Sequence, residues 1–357
     1  MSSPEYGPGA WPVHGLGPRE ALPDGLVWPG RRGAVDGPTP WQTRSGEWRQ
    51  VGGGWWVPAS IEQSTEQRVV EAASRLPAYG AVTGWAALRW AGGRWFSGSD
   101  RGSPRPIPIA LANLNSVRPH PSIDISREIL PPGTIGRLRG LRVTDPLWSV
   151  SHEMRKADTD EAAIVAFEMA AYQDFVSIAE LSAFVDSALW VRQGVPRIRA
   201  LLPLLEENSW SPMEPIMRSA WIASQHGHPL ANRPVFDLNG RLVGTPDLLD
   251  LLAGVYGMYD GALHLAGEVR SQDVAKEAAY RALGLEGATM MAGDVRDPRA
   301  FLARLDQAYA RAARKPAADR LWLTETPKWW IPTWTVEMRR NLSPYDRSRV
   351  LRYRRAA

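Results

Sequence analysis

The chain contains no cysteine, which removes disulfides, thiolate zinc sites, iron–sulfur clusters and cysteine nucleophiles from consideration. Lysine is nearly as scarce. Only Lys156, Lys276, Lys315 and Lys328 occur among 42 basic residues, so almost all positive charge is guanidinium, a planar fork suited to phosphate. Six histidines remain for imidazole chemistry. No apolar run reaches the roughly 18 residues of a membrane span. The first thirty residues carry Pro, Gly and the acids Glu5, Glu20 and Asp24 in place of the basic start and apolar stretch of a secretory signal. A cytoplasmic protein with no membrane partner is expected. Phosphate loop, dinucleotide fingerprint, nucleophile elbow and zincin motif are all missing.

What is present is ordinary globular material: 357 residues, 44% hydrophobic and 22% charged, enough for about two domains. Charge is unevenly placed. From 315 to 357 there are ten basic residues against four acids, a surplus of six, while the whole chain carries +4. The first 314 residues are therefore slightly acidic, and attraction for a polyanion such as DNA concentrates in the tail. Arg347, Arg349, Arg352, Arg354 and Arg355 crowd a segment that Ser343-Pro344-Tyr345-Asp346 marks as a capped helix. They are candidate phosphate contacts, or else a solvated face or partners for acids of the same chain.

The pattern predicts an α/β protein, α+β overall. Residues 1–60 form a Gly/Pro-rich opening with a hairpin at its end, in which Gly52-Gly53-Gly54 turns between Trp48–Val51 and Trp55–Val57. Such a hairpin suits the wing of a winged helix. Residues 61–205 read as an αβ to helical middle domain, with strands near 106–111, 121–126 and 140–144 and helices over 162–171, 178–188 and 196–206. Residues 206–314 read as one αββ(β)αβα unit: a helix opened by Ser211-Pro212-Met213-Glu214, short strands at 233–237, 241–244 and 255–260, then a helix over 270–283, a strand at 289–292 and a helix over 298–313. Residues 315–357 form a basic Trp/Arg-rich tail.

Within the third region Glu214, Asp247, Asp260 and His264 follow one another in an order that suits metal-assisted hydrolysis. Mg²⁺ or Mn²⁺ takes hard oxygen ligands and keeps several waters, so carboxylates at strand ends, backed by one from a helix, can hold it beside a phosphate. His264 is the candidate proton carrier. On spacing alone, acids in such turns are more often solvated turn formers. His226 and His228 precede Pro229 in a loop with no third ligand nearby and read as loop residues.

The stretches Asn232-Arg233-Pro234-Val235-Phe236-Asp237, Gly244-Thr245-Pro246-Asp247-Leu248 and Tyr259-Asp260-Gly261, with His264, Arg270, Asp273, Glu277 and Gly284-Leu285-Glu286, resemble a bacterial family. It is the uncharacterised branch of PD-(D/E)XK nuclease-fold proteins similar to very-short-patch mismatch-repair endonucleases. The resemblance extends to Asn208–Glu214, to Val82–Trp90 and to Trp329-Trp330-Ile331-Pro332. It implies a mixed sheet flanked by helices, Glu214 as the helix acid, Asp247 and Asp260 as metal ligands, and DNA as the partner. The family's strand carries Glu-x-Asp-Gly, and here that Glu is Met258, a soft thioether that binds Mg²⁺ poorly. Asp260 also occupies the place of the usual Lys; Lys276 of the following helix is the candidate cation in its stead, or else part of a solvated helix face. Arg270 and Arg281 are further candidates for phosphate contact.

Two functions remain open on these grounds: a metal-dependent DNA endonuclease, and a non-catalytic DNA-binding or antitoxin-like module with a protein partner encoded nearby. The N-terminal half resembles, more weakly, the antitoxins of abortive-infection systems through the hairpin at 47–59 and Gly140-Leu141-Arg142-Val143-Thr144-Asp145. It departs from them at Trp148, where Arg is usual.

Overall fold

The computed structural model describes residues 22–100, 102–111, 117–131, 133–189, 192–261 and 268–356. Helices and several mixed sheets alternate through the chain, an α+β architecture. It divides into two compact units, one of residues 1–158 with 179–202, the other of residues 159–178 with 203–357. This grouping differs from the four compositional segments. Helix Asp160–Tyr172 and the whole tail pack with the carboxyl-terminal unit, because Arg339 of the tail is fully buried there.

In the first unit, Trp48–Gly52 and Trp55–Pro58 form the expected hairpin, and Gly52, Gly53 and Gly54 all take positive φ in its turn. The opening segment is more ordered than its Gly/Pro content suggests. Gly30–Arg31 adds a third strand against Trp55-Trp56, and the side chain of Gln67 holds both the N–H and the carbonyl of Val27. A five-stranded sheet follows, in the order Ile123–Ser126, Ile107–Ala110, Ala81–Val82, Leu141–Thr144, Ile135–Leu138. Helices Gly84–Trp90 and Pro146–Lys156 pack on one another, with Trp85 and Trp148 buried. The latter helix starts where Asp145 accepts the N–H of Trp148 and Pro146 takes the first turn. Trp90 is buried as well.

The second unit is built on a four-stranded mixed sheet in the order Leu230–Ala231, Leu248–Asp250, Val255–Asp260, Glu286–Met291. The central pair is antiparallel and the last pair parallel. Each face carries its own apolar layer. On one side Met217 and Trp221 of helix Met213–Ala223 and Phe301, Leu305 and Ala308 of helix Arg299–Ala312 cover Leu248, Val255, Ala288 and Met290. On the other, Tyr280 of helix Glu268–Ala282 joins Leu285 and Trp322 over Leu249 and Tyr256. Burying Trp221 alone is worth about 5 kcal/mol of transfer free energy, so the sheet is fixed firmly against the helix that carries Glu214. Strands Leu230–Ala231 and Leu248–Asp250 escape the sequence pattern, since two or three residues cannot show a period.

Candidate functional site

Glu214 lies in the first turn of its helix and is buried. Ser211 does not cap the helix that it opens but hydrogen-bonds the Glu214 carboxylate, which also accepts the N–H of Trp210 at 2.7 Å. A further donor is the side-chain amide of Asn232, which also donates to the carbonyl of Asn208 at 2.8 Å. Asn208 answers with its own amide to the carbonyls of Ala231 and Asn232, so the two asparagines lock each other. Asn232 sits in the left-handed region at φ 47°, a conformation that asparagine tolerates better than most residues. Its backbone N–H reaches the carbonyl of Asp247 at 2.9 Å, and the Asp247 carboxylate accepts the N–H of Tyr259 at 2.7 Å. One chain of bonds thereby links Glu214, Asn232, Asp247 and Tyr259.

Burial first, and the negative charge of Asp247 second, push the Glu214 carboxyl well above its ordinary value. The two acids that sequence places 33 positions apart are thus electrostatic neighbours. Strand alternation puts Tyr256, Met258 and Asp260 on one face of the sheet, and Asp260 is half-buried at the strand's end. The pairing of Leu248 with Gly257 sets Asp247 opposite Met258. Met258 itself packs in the apolar layer with Tyr256 and Tyr280.

Two residues had no role in the sequence reading. The Tyr280 hydroxyl is buried, has no hydrogen-bond partner among the described residues, and is pushed up by burial and then by the charges of Tyr256 and Asp247. The side-chain oxygen of Asn232 is likewise buried and without a partner among the described residues. Its orientation is fixed, because the carbonyl of Asn208 can only accept and therefore demands the amide nitrogen. An asparagine before Arg-Pro is a recognisable left-handed turn former, so Asn232 left a sequence signal; Tyr280 left none.

The remaining candidates scatter. Lys276 is exposed on its helix, and Arg281 pairs with Glu277 one turn back at 3.2 Å. His264 and the side chains of Arg270 and Arg355 lie outside the described residues. The tail does not form the single arginine-faced helix expected of it. Ser343 caps helix Pro344–Val350 as predicted, but the chain breaks and restarts as Tyr353–Ala356. Its arginines also turn inward: Arg347 and Arg354 join Arg339 on the carboxylate of Asp174, at 3.1, 2.9 and 2.6 Å. Arg349 pairs with Asp346 at 3.4 Å, and Arg352 is exposed. Phosphate contact by Arg347 or Arg354 would have to compete with that carboxylate, whose ionised form the arginines favour.

The donor set suits a hard divalent cation in kind: two carboxylates and an amide oxygen, with no soft ligand but Met258. It is sparse in number, since no group of three His, Asp or Glu positioned to hold a metal occurs among the described residues. Mg²⁺ that keeps its waters asks for only one or two carboxylates beside a phosphate. No family model, curated protein or solved structure matches the chain. None of its described helices is long and apolar enough to cross a membrane.

Proposed function

We propose that the carboxyl-terminal unit acts on DNA as a nuclease-fold domain with weakened metal-dependent phosphodiester hydrolysis. The observation that carries this reading is Asn232, whose side-chain amide holds the helix acid Glu214 while its backbone N–H binds the carbonyl of Asp247 at the start of an interior strand of a mixed sheet. Asp247, with Asp260 on the neighbouring strand, would hold Mg²⁺ or Mn²⁺, which when bound offsets phosphate charge and acidifies a water. Glu214, held by Trp210 and Asn232, would give up its proton as a cation arrives and then help fix Asp247 in place. A mixed sheet covered by helices on both faces is compatible with the reading without identifying the substrate.

A second reading, a non-catalytic DNA-binding or antitoxin-like module, is favoured by Met258. Its side chain is absorbed into the apolar layer, where an acid would cost stability. Cleavage of plasmid and mismatched duplex by purified protein in Mg²⁺ and Mn²⁺ separates the two. Activity abolished by Asp247→Ala supports the nuclease. No cleavage with retained DNA binding supports the module, and cleavage unchanged in Asp247→Ala rejects the site.

A further inference from the structure

The amino-terminal unit contains a second concentration of buried polar atoms, unrelated to the acids above. Trp148, His152 and Arg155 stand at successive turns of helix Pro146–Lys156, so their side chains share a face. Trp148 and His152 are essentially inaccessible, and the Arg155 side chain is 5% exposed. Each has a polar atom with no hydrogen-bond partner among the described residues: Trp148 Nε1, His152 Nδ1 and Arg155 Nη2. Buried polar groups are nearly always satisfied, so three orphans on one helix face call for a common explanation.

Around this face the charges are unequal. Arg155 Nη1 donates to Glu128 at 2.9 Å, and Arg192 approaches the other Glu128 oxygen at 3.9 Å. The guanidinium carbons of Arg155 and Arg192 lie 5.8 and 5.3 Å from the Trp148 ring centre. Two cations thus face one carboxylate. The neighbouring charges cancel: Lys156 faces Asp124 at 3.9 Å, and Arg105 binds Glu153 at 2.8 Å. The local surplus is one positive charge. Three of the four orphan atoms here match that sign, because indole N–H and guanidinium N–H only donate while the imidazole nitrogen can do either; the fourth, Glu128 Oε2, is an acceptor that faces Arg192 at 3.9 Å. What is missing is a small group rich in acceptors. Access exists on one side, where Glu128 and Arg192 remain 28% and 22% exposed.

We propose that Trp148, His152, Arg155 and Arg192 form a binding site for a small oxyanion, a carboxylate or phosphoryl group. Arg155 Nη2 and Trp148 Nε1 donate to its oxygens, Arg192 closes the solvent side, and Glu128 holds both arginines apart. A bare carboxylate and a phosphoryl group share this chemistry and differ in charge and oxygen count.

The test titrates the full-length, ¹⁵N-tryptophan-labelled protein with sodium acetate and, separately, with sodium phosphate, against chloride at constant ionic strength. The Trp148 indole resonance is assigned by its disappearance in Trp148→Phe. A saturable shift of that resonance is expected with at least one anion: with acetate alone for a carboxylate site, with phosphate alone for a phosphoryl site. Arg192→Gln, at the half-exposed rim, should weaken that binding by about tenfold, the ordinary loss of one charge-assisted contact. No shift with either anion, or an undiminished one in Arg192→Gln, overturns the proposal and leaves the donors to ordered water. DNA cleavage does not enter the measurement, so its outcome is independent of the carboxyl-terminal site.

Discussion

Asn232 holds Glu214 through its side-chain amide while its backbone N–H binds the carbonyl of Asp247, so one residue spaces the two acids of the candidate site. Replacing it tests how much of the site depends on that spacing. Asn232→Ala removes buried hydrogen bonds, at about 1–3 kcal/mol, and places a Cβ residue with no local polar compensation at positive φ, at roughly 1–2 kcal/mol more. Asn232→Gly loses the same bonds but not the backbone compatibility. Urea unfolding should therefore rank wild type above Asn232→Gly, and Asn232→Gly above Asn232→Ala.

Glu214 gives a pH dependence whose sign is fixed. Its folded pKa is raised, so the native state binds the proton more tightly than the unfolded chain, where the ordinary value is 4.5. The stabilisation is fully present below that value and is lost as pH rises from it through the raised one. Glu214→Gln keeps the neutral shape and removes the titration. The melting temperature of wild type should fall relative to that of Glu214→Gln as pH increases above about 4.5. A constant difference across neutral pH would show that the carboxyl is ionised in the fold.

The tail arginines separate into structural and exposed ones. Asp174→Asn keeps a residue type that tolerates the positive φ of 59° but leaves Arg339, Arg347 and Arg354 facing a neutral amide. Removing one partner of a buried ion pair costs about 3–5 kcal/mol, so thermal unfolding should move to markedly lower temperature. Arg352→Gln, on an exposed residue, should change stability by less than about 0.5 kcal/mol. Any loss of DNA affinity at unchanged stability would then point to Arg352, with a smaller slope of log affinity against log salt.

Met258→Glu places a carboxylate in an apolar layer opposite Asp247. Without divalent ions the variant should unfold at lower temperature than wild type. If the site takes a metal, Mg²⁺ or Mn²⁺ should restore a larger share of that loss in the variant than it adds to wild type, since binding to the native state alone stabilises it. Equal effects of the ions on both proteins would argue against coordination at this position.

The order of elements was readable where local signals were strong. Val255–Asp260 was expected at its observed bounds, and helices 298–313 and 270–283 fell within two residues of Arg299–Ala312 and Glu268–Ala282. Glu214 and Asp247 were expected in one site from their order and from the resemblance, whereas the strand after Asp247, three residues long, was not expected. Other features had no sequence signal. Asp174 gathers arginines from more than 160 positions away, and nothing local marks it as an anchor. Likewise an arginine-rich segment gives the same pattern whether it faces solvent or folds back on an acid, so the tail's inward turn has no local signature. Tyr280 reads simply as one more apolar position of an amphipathic helix.

The contact between Asp174 and Arg339 joins residues 165 positions apart. A ribosome adding about 5–20 residues per second needs roughly 8 to 33 s to travel that distance. Throughout that interval helix Asp160–Tyr172 exists without the guanidiniums that neutralise Asp174, and without the sheet that completes its unit. Moreover, residues 179–202 return to the first unit before the second is made, so the nascent chain finishes one body while holding a fragment of the other. Severing the backbone between 202 and 203 would strand that helix on the amino-terminal piece, so limited proteolysis there should yield two fragments that stay associated until denatured.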